Sequence, residues 1–326
     1  MDTRFNHVLI GVRKAVLATV VMGLMVMPVY RINAVVFPLI TDYGVAADQI
    51  ALGNVMGFST SANGIFENPA SLYRSGDISL AAFSSKIMSE VHYTNIAISS
   101  VFLDGRIGVG VMQSTVVNIP ETSCPSNACG FGEVGYPELS PNSFDYNNAV
   151  YKLGYQEMIR RQIQFGANLS YYTKDFYTVY ARGVNLDLGI IYLFHNRQYE
   201  MSVLIKNIVP NQYMKYNTGE LESLRAQRVL TLRRSFRNGL EVYPQIQWYC
   251  AQIMPSFGVK YRPNFFPYVQ FLGGYRTALD TTLQRHNTMT VGLGIQLANL
   301  TINYAFERSD YVLSDHKNYL SMTVAL

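Results

Sequence analysis

With 326 residues, 15% of them charged and a net charge of only +4, the chain is well below the charge density of an ordinary soluble domain, about 25%. No basic run marks a nucleic-acid surface, and a mean hydropathy of +0.07 excludes a bundle of membrane helices, each needing about twenty apolar residues. Aromatics make up 13%, chiefly tyrosine, which fits one large all-β domain whose surface meets lipid, because a barrel turns only alternate residues to the membrane.

At the N-terminus, Arg4, Arg13 and Lys14 precede a mostly apolar run from Ala15 to Met27. Basic residues ahead of a short apolar run are the pattern of a secretory signal peptide, and the run is short for a bilayer span. The expectation is a signal over residues 1–34, cleaved after Ala34. A retained N-terminal membrane helix is the alternative.

Residues 35–76 lack the alternation of strands. Ala46 to Met56 has the small and apolar residues of a short helix, and Ala62-Asn63-Gly64-Ile65-Phe66-Glu67-Asn68-Pro69-Ala70-Ser71-Leu72 follows. Asn68 is a good N-cap, because its side-chain oxygen can accept a bond from an unpaired backbone N–H. Pro69 suits the first helical position, where its missing N–H costs nothing. The stretch therefore predicts a sharply started helical turn with Phe66 and Leu72 as its apolar contacts. Placed just ahead of a long run of strands, such a turn reads as a plug. An ordinary loop ending in one helical turn is the plainer reading.

From Asp77 to Leu326 the pattern has period two. Met289, Val291, Leu293, Ile295 and Leu297 share one face, against Thr290, Gly292, Gly294 and Gln296. Leu300, Ile302, Tyr304 and Phe306 repeat it against Thr301, Asn303, Ala305 and Glu307. Strict alternation gives each strand one apolar face. About fourteen strands are predicted, starting near 77, 91, 106, 147, 161, 181, 198, 226, 239, 255, 266, 287, 299 and 316. Tight turns are expected at Asp104-Gly105, Arg160-Arg161, His195-Asn196, Asn238-Gly239, Pro263-Asn264 and Ala298-Asn299. Between them lie most of the longer connections, notably 118–146 and 208–225. Short turns alternating with long loops are the mark of an outer-membrane barrel, and an even strand count puts both ends on the periplasmic side. A soluble all-β domain is the alternative.

Arg228, Arg233 and Arg234 interrupt one strand and are expected to face the lumen or the interface, since an arginine on the lipid face near the midplane costs about 2–4 kcal/mol. Asn185, Asp187, Gln245, Gln247, Lys260 and Glu307 are expected to point inward. Cys124 and Cys129 flank a polar segment and are a candidate local disulfide in an exported chain, leaving Cys250 over. They lack the His or second Cys pair of a metal site, so neither a metal nor a cofactor is expected. Gly130-Phe131-Gly132-Glu133-Val134-Gly135 has dinucleotide-binding spacing without the required strand and helix around it, and reads as chance. His92 and His316 show no local arrangement for a Ser/His lipid hydrolase, and no enzyme activity is expected.

The Ala62–Leu72 stretch resembles the Asn-Pro-Ala hatch motif of the outer-membrane long-chain fatty acid transporter (FadL-type) superfamily, and the whole chain resembles an uncharacterised treponemal outer-membrane protein family related to it. That resemblance implies a transmembrane antiparallel up-and-down β-barrel over 77–326 with an N-terminal hatch over 35–76. Asn68, Pro69 and Ala70 would be the hatch positions. A distorted third strand, here the one containing Gly108 and Gly110, would open the wall sideways. The chain departs from that group in ending on Leu326 in place of an aromatic residue.

The function expected is passive uptake of hydrophobic molecules such as long-chain fatty acids across the bacterial outer membrane, with Phe66 and Leu72 near the ligand path. Partners would be these small molecules and outer-membrane lipid, with no nucleic acid. A protein carrier, anchor or surface adhesin with a secreted-protein partner is the alternative, and an open porin is a third.

Overall fold

The computed structural model describes residues 40–87, 90–123, 138–194, 198–250, 252–279, 285–308 and 317–326. The signal segment 1–34, Cys124 and Cys129, the 130–135 glycine run, the His195-Asn196 turn and His316 lie outside the described residues. Strands run as β1 (Ile78–Ile87), β2 (Val91–Phe102), β3 (Gly105–Ser123), β4 (Glu138–Arg160), β5 (Ile163–Phe176), β6 (Val179–Leu193), β7 (Tyr199–Lys206) and β8 (Tyr213–Tyr216). They continue as β9 (Leu221–Ser223), β10 (Gln227–Ser235), β11 (Leu240–Tyr249), β12 (Gln252–Tyr261), β13 (Val269–Leu279), β14 (Arg285–Leu297), β15 (Leu300–Arg308) and β16 (Lys317–Ala325).

All belong to one antiparallel sheet that closes on itself. β1 pairs with β2 on one side and with β16 on the other, from Ser79 opposite Ala325 to Ser85 opposite Tyr319. Ile78 and Leu326 exchange backbone bonds of 3.0 and 2.8 Å at the seam. Setting aside the small β8–β9 hairpin, which adds to β6 at Ala181 and Arg182, fourteen strands make the barrel. Closure leaves no unpaired edge, which is what lets a sheet cross hydrocarbon.

The alternation read from sequence is the inside–outside pattern of the wall. Met289 and Val291 are 68% and 56% exposed on the outer surface, while Thr288 and Thr290 beside them are buried. Ile302 and Tyr304 face out between buried Asn303 and Ala305. Asn185, Asp187, Gln245 and Glu307 are buried as expected, and Gln247 and Lys260 share their inward face half-buried. Arg233 points inward to Glu200. Arg234 lies over the Tyr199 and Phe236 rings beside the 236–239 turn, at the barrel rim.

Strand starts agree with the sequence reading to within a few residues, except at β4. There the described residues of the expected 118–146 loop, 118–123 and 138–146, are strand, and β3 and β4 run 19 and 23 residues as a paired ribbon. A membrane crossing uses only about 9–11. The ribbon was hidden because strands beyond the bilayer have water on both faces and no reason to alternate. Its register shifts between Val116 and Ile119, where Asn118 takes a positive φ of 58°, and again between Pro120 and Thr122. The expected 208–225 loop likewise contains the β8–β9 hairpin. Loop sorting is also less strict than expected. One end carries only short connections, but the other has short ones too, at residues 177–178 and between the paired residues Tyr249 and Gln252.

Inside the barrel, residues 40–76 pack against the wall. The helix predicted over 46–56 is shorter, Ala47–Ala51, because Gly53 and Asn54 adopt positive φ and end it. Ile50, Val55, Ile65, Phe66 and Leu72 meet Phe83, Tyr93, Met112 and Tyr319 of the wall in one apolar cluster. The core therefore lies in the lumen, between this segment and the strands.

Candidate functional site

The Asn-Pro-Ala turn is the best-secured part of the lumen. Asn68 is extended, at φ −143° and ψ 114°, and caps a 3-10 helix over Pro69–Arg74. Its Oδ1 accepts the Ala70 N–H at 3.0 Å, as its residue type predicts. Its Nδ2 does more, donating to Ser202 Oγ at 2.9 Å and to the Val203 carbonyl at 3.2 Å, so the cap is also the tie to β7. Ser71 Oγ returns a bond to the Asn68 carbonyl at 2.7 Å.

Glycines in the wall make room for this turn. A Cβ at Gly189 of β6 would collide with Asn68 Oδ1, and one at Gly166 of β5 would collide with the Pro69–Ala70 backbone. Glycine inside a strand costs sheet stability, and close approach of another chain segment is a reason to accept that. The same relation holds on β3. A Cβ at Gly110 would stand 2.5 Å from Phe66 Cζ, and one at Gly108 would stand 3.1 Å from Leu72 Cδ1. Phe66 and Leu72, 1% and 0% exposed, thus fill the space over the two glycines singled out from the sequence. The pairing of Gly108 and Gly110 with β2 and β4 is regular, and the irregular part of β3 lies further on, at 116–122.

An ionic chain joins the end of the turn to the wall. Arg74 pairs with Glu200 of β7, which also takes Arg233 at 2.6 Å; Glu241 binds Lys260 at 2.6 Å. Both arginines lie over the Phe58 ring, 5.2 and 5.8 Å from its centre. Deeper in the wall, Lys152 and Asp187 form a fully buried pair, with Ser170 Oγ and the Asn207 N–H donating to the same carboxylate. Buried charges of this kind are tolerable only when paired and hydrogen-bonded.

A cavity of about 360 Å³ opens at the short-turn end, bounded by Gly76, Arg262 and the Ala298-Asn299 turn. Its lining is mixed: Asp48, Glu67, Arg74 and Lys260 stand beside Leu52, Val55, Phe58 and Leu272. Phe66 and Leu72 do not line it. Within it, burial pushes the Glu67 carboxyl up to about 8, with the nearby Asp48 adding to the rise. Burial likewise raises Asp48 and lowers Arg74.

Among the described residues no three His, Cys, Asp or Glu side chains converge to hold a metal ion. His92 is exposed on β2, and Cys250, in the turn after β11, lies 3.5 Å from Arg225 Nη1. The reading from sequence placed the turn but missed its sockets. Ser202, Gly166, Gly189, Glu200 and Glu67 carry no local motif, and only Glu67, next to the turn, had a position that could have drawn attention.

No protein-family model and no curated protein matches the chain. Solved structures do. The toluene transporter TodX of P. putida is similar over 86% of this chain and 96% of its own, at 11% identity and a TM-score of 0.58. The CymD monoaromatic hydrocarbon channel covers 89% and 99%, at 12% identity and a TM-score of 0.60. The Ralstonia pickettii toluene transporter TbuX covers 87% and 98%, at 12% and 0.59. These channels belong to the FadL outer-membrane transporter family, and nothing in them bears on the narrower treponemal resemblance. At such low identity the likeness is one of fold: this chain has the fourteen-strand fold of FadL-type bacterial outer-membrane barrels.

Proposed function

We propose that the chain is a bacterial outer-membrane channel for passive uptake of hydrophobic small molecules, long-chain fatty acids among them, with residues 35–76 as its hatch, of which 40–76 are described. The observation that carries this reading is the seating of Asn68-Pro69-Ala70 in glycine sockets of the wall, with an apolar cluster around it. A segment held in that way closes the lumen to ions and sugars, which separates this reading from an open porin.

Apolar cargo gains about 0.8 kcal/mol per buried methylene and loses it again on release into water. The cavity at the short-turn end carries Asp48, Glu67, Arg74, Lys260 and Arg262 in its mixed lining, which makes it a poor exit for a hydrocarbon chain. Release through the wall is the better route, and at Gly108 and Gly110 the inner face of β3 carries no side chain of its own. In this mechanism Phe66 and Leu72 are stoppers that withdraw from those glycines when the hatch shifts.

The test is equilibrium binding of a long-chain fatty acid and of toluene to the refolded protein. Saturable binding of either, lost when Asn68-Pro69-Ala70 is deleted, is the expected result. Binding no stronger than to an unrelated barrel would remove the reading. A second reading, a carrier or adhesin for a secreted protein, is favoured by the long β3–β4 ribbon, and a stoichiometric protein co-purifying with an empty lumen would select it.

A further inference from the structure

Glu67 stands immediately before the Asn-Pro-Ala turn and is 3% exposed. Its Oε2 accepts the Gly57 N–H at 3.2 Å, and the Ser59 N–H also points to the carboxyl, so this one side chain ties the 57–59 backbone to the turn. Gly57 in turn leans on Ser202, the residue that receives Asn68. The seat of the hatch and the environment of Glu67 are therefore the same small region.

The charges facing that carboxyl do not balance it. Asp48, on the Ala47–Ala51 helix, repels it, and Lys206 of β7 attracts it less than Asp48 repels. Arg74 and Lys260 line the same cavity, but each is held by another acid, Glu200 and Glu241 respectively. Arg262 there donates to Gln270 at 3.2 Å, and Tyr243 donates to Glu241. A carboxylate buried beside a second acid is costly to ionise, and the cavity at the short-turn end gives protons a way in from water.

We propose that Glu67 is a proton-operated latch on the hatch, seated when neutral and favouring release when ionised. The inference rests on the plugged-channel reading above and adds its regulation. A released Glu67 ionises near its ordinary 4.5, and the seated one near 8. Between those values unseating sheds one proton. The unseating equilibrium therefore rises by about tenfold per pH unit, then levels above the seated value and is flat below the ordinary one.

Hydrogen exchange of the refolded full-length protein in detergent, followed over residues 57–72 from pH 5 to 9 and corrected for intrinsic rates, reads this directly. The wild type is expected to open about 100-fold more at pH 7.5 than at pH 5.5. E67Q, which keeps an acceptor for the Gly57 N–H, is expected to be flat, and D48N to keep a slope. A flat wild-type profile, an E67Q profile as steep as wild type, or a slope abolished by D48N alone overturns the latch. Should E67Q fail to refold, the wild-type and D48N profiles still decide. Full exchange over 57–72 at pH 5 is the different outcome that sinks the plugged-channel reading itself.

Discussion

Asn68 does three jobs with one amide: it caps a helix, donates to Ser202 and donates to a β7 carbonyl. N68A leaves buried donors and acceptors without partners, a loss of about 1–3 kcal/mol. It is expected to speed hydrogen exchange over 69–75 about tenfold or more, with the barrel strands unchanged. G189A puts a methyl into the Asn68 amide and is expected to raise ion conductance in planar bilayers. G273A, where a Cβ would meet nothing within 4 Å, should be silent in the same measurement. In the wall, K152M strands Asp187 without its closest cation. With Lys206 still nearby, the expected cost is at the lower end of about 3–5 kcal/mol, read as a fall in the urea unfolding midpoint.

For a strand, position along the outward face sets the cost of a charge. Leu293 is the middle of the five apolar outward residues of β14, and Leu297 is the last before the turn at Ala298. L293R is expected to destabilise the folded barrel by about 2–4 kcal/mol and L297R by about 0–1, both measurable by unfolding in lipid vesicles. Two of the three arginines of β10 obey the same rule, since Arg233 turns into the lumen and Arg234 sits at the rim. The β3–β4 ribbon is a different kind of element. Its pairing inside the membrane, from Gly105 opposite Glu157 to Val116 opposite Tyr146, is regular without the part beyond. Replacing 117–145 with a tight turn should therefore leave the heat-modifiable gel mobility of a folded barrel.

On the scale of the molecule, closure of the wall and filling of the lumen are separable. The ladder from β1 to β16 does not use residues 40–76, so a chain lacking them is expected to close and to conduct ions strongly in planar bilayers. A deleted chain that conducts no more than the intact one would mean that something other than this segment blocks the pore. The inner charges make this plausible in energy: much of the lumen wall is already polar and paired, as at Lys152–Asp187 and Arg276–Glu307, and tolerates water.

What the sequence determined by itself was the wall: strand number, near positions, and which side chains face lipid. Period-two alternation is a local signal, and a bilayer outside with a polar lumen inside enforces it residue by residue. It also determined the capped turn, since an N-cap and a proline at the first position act within three residues. Tertiary structure alone decided where that turn sits, because the sockets at Gly166 and Gly189, the receiver at Ser202 and the clasp at Glu200 are distant in the chain, Ser202 by 134 residues from Asn68 and Glu200 by 126 from Arg74. The pairing of 118–123 with 138–146 was likewise illegible, for beyond the membrane neither face of a strand is forced to be apolar.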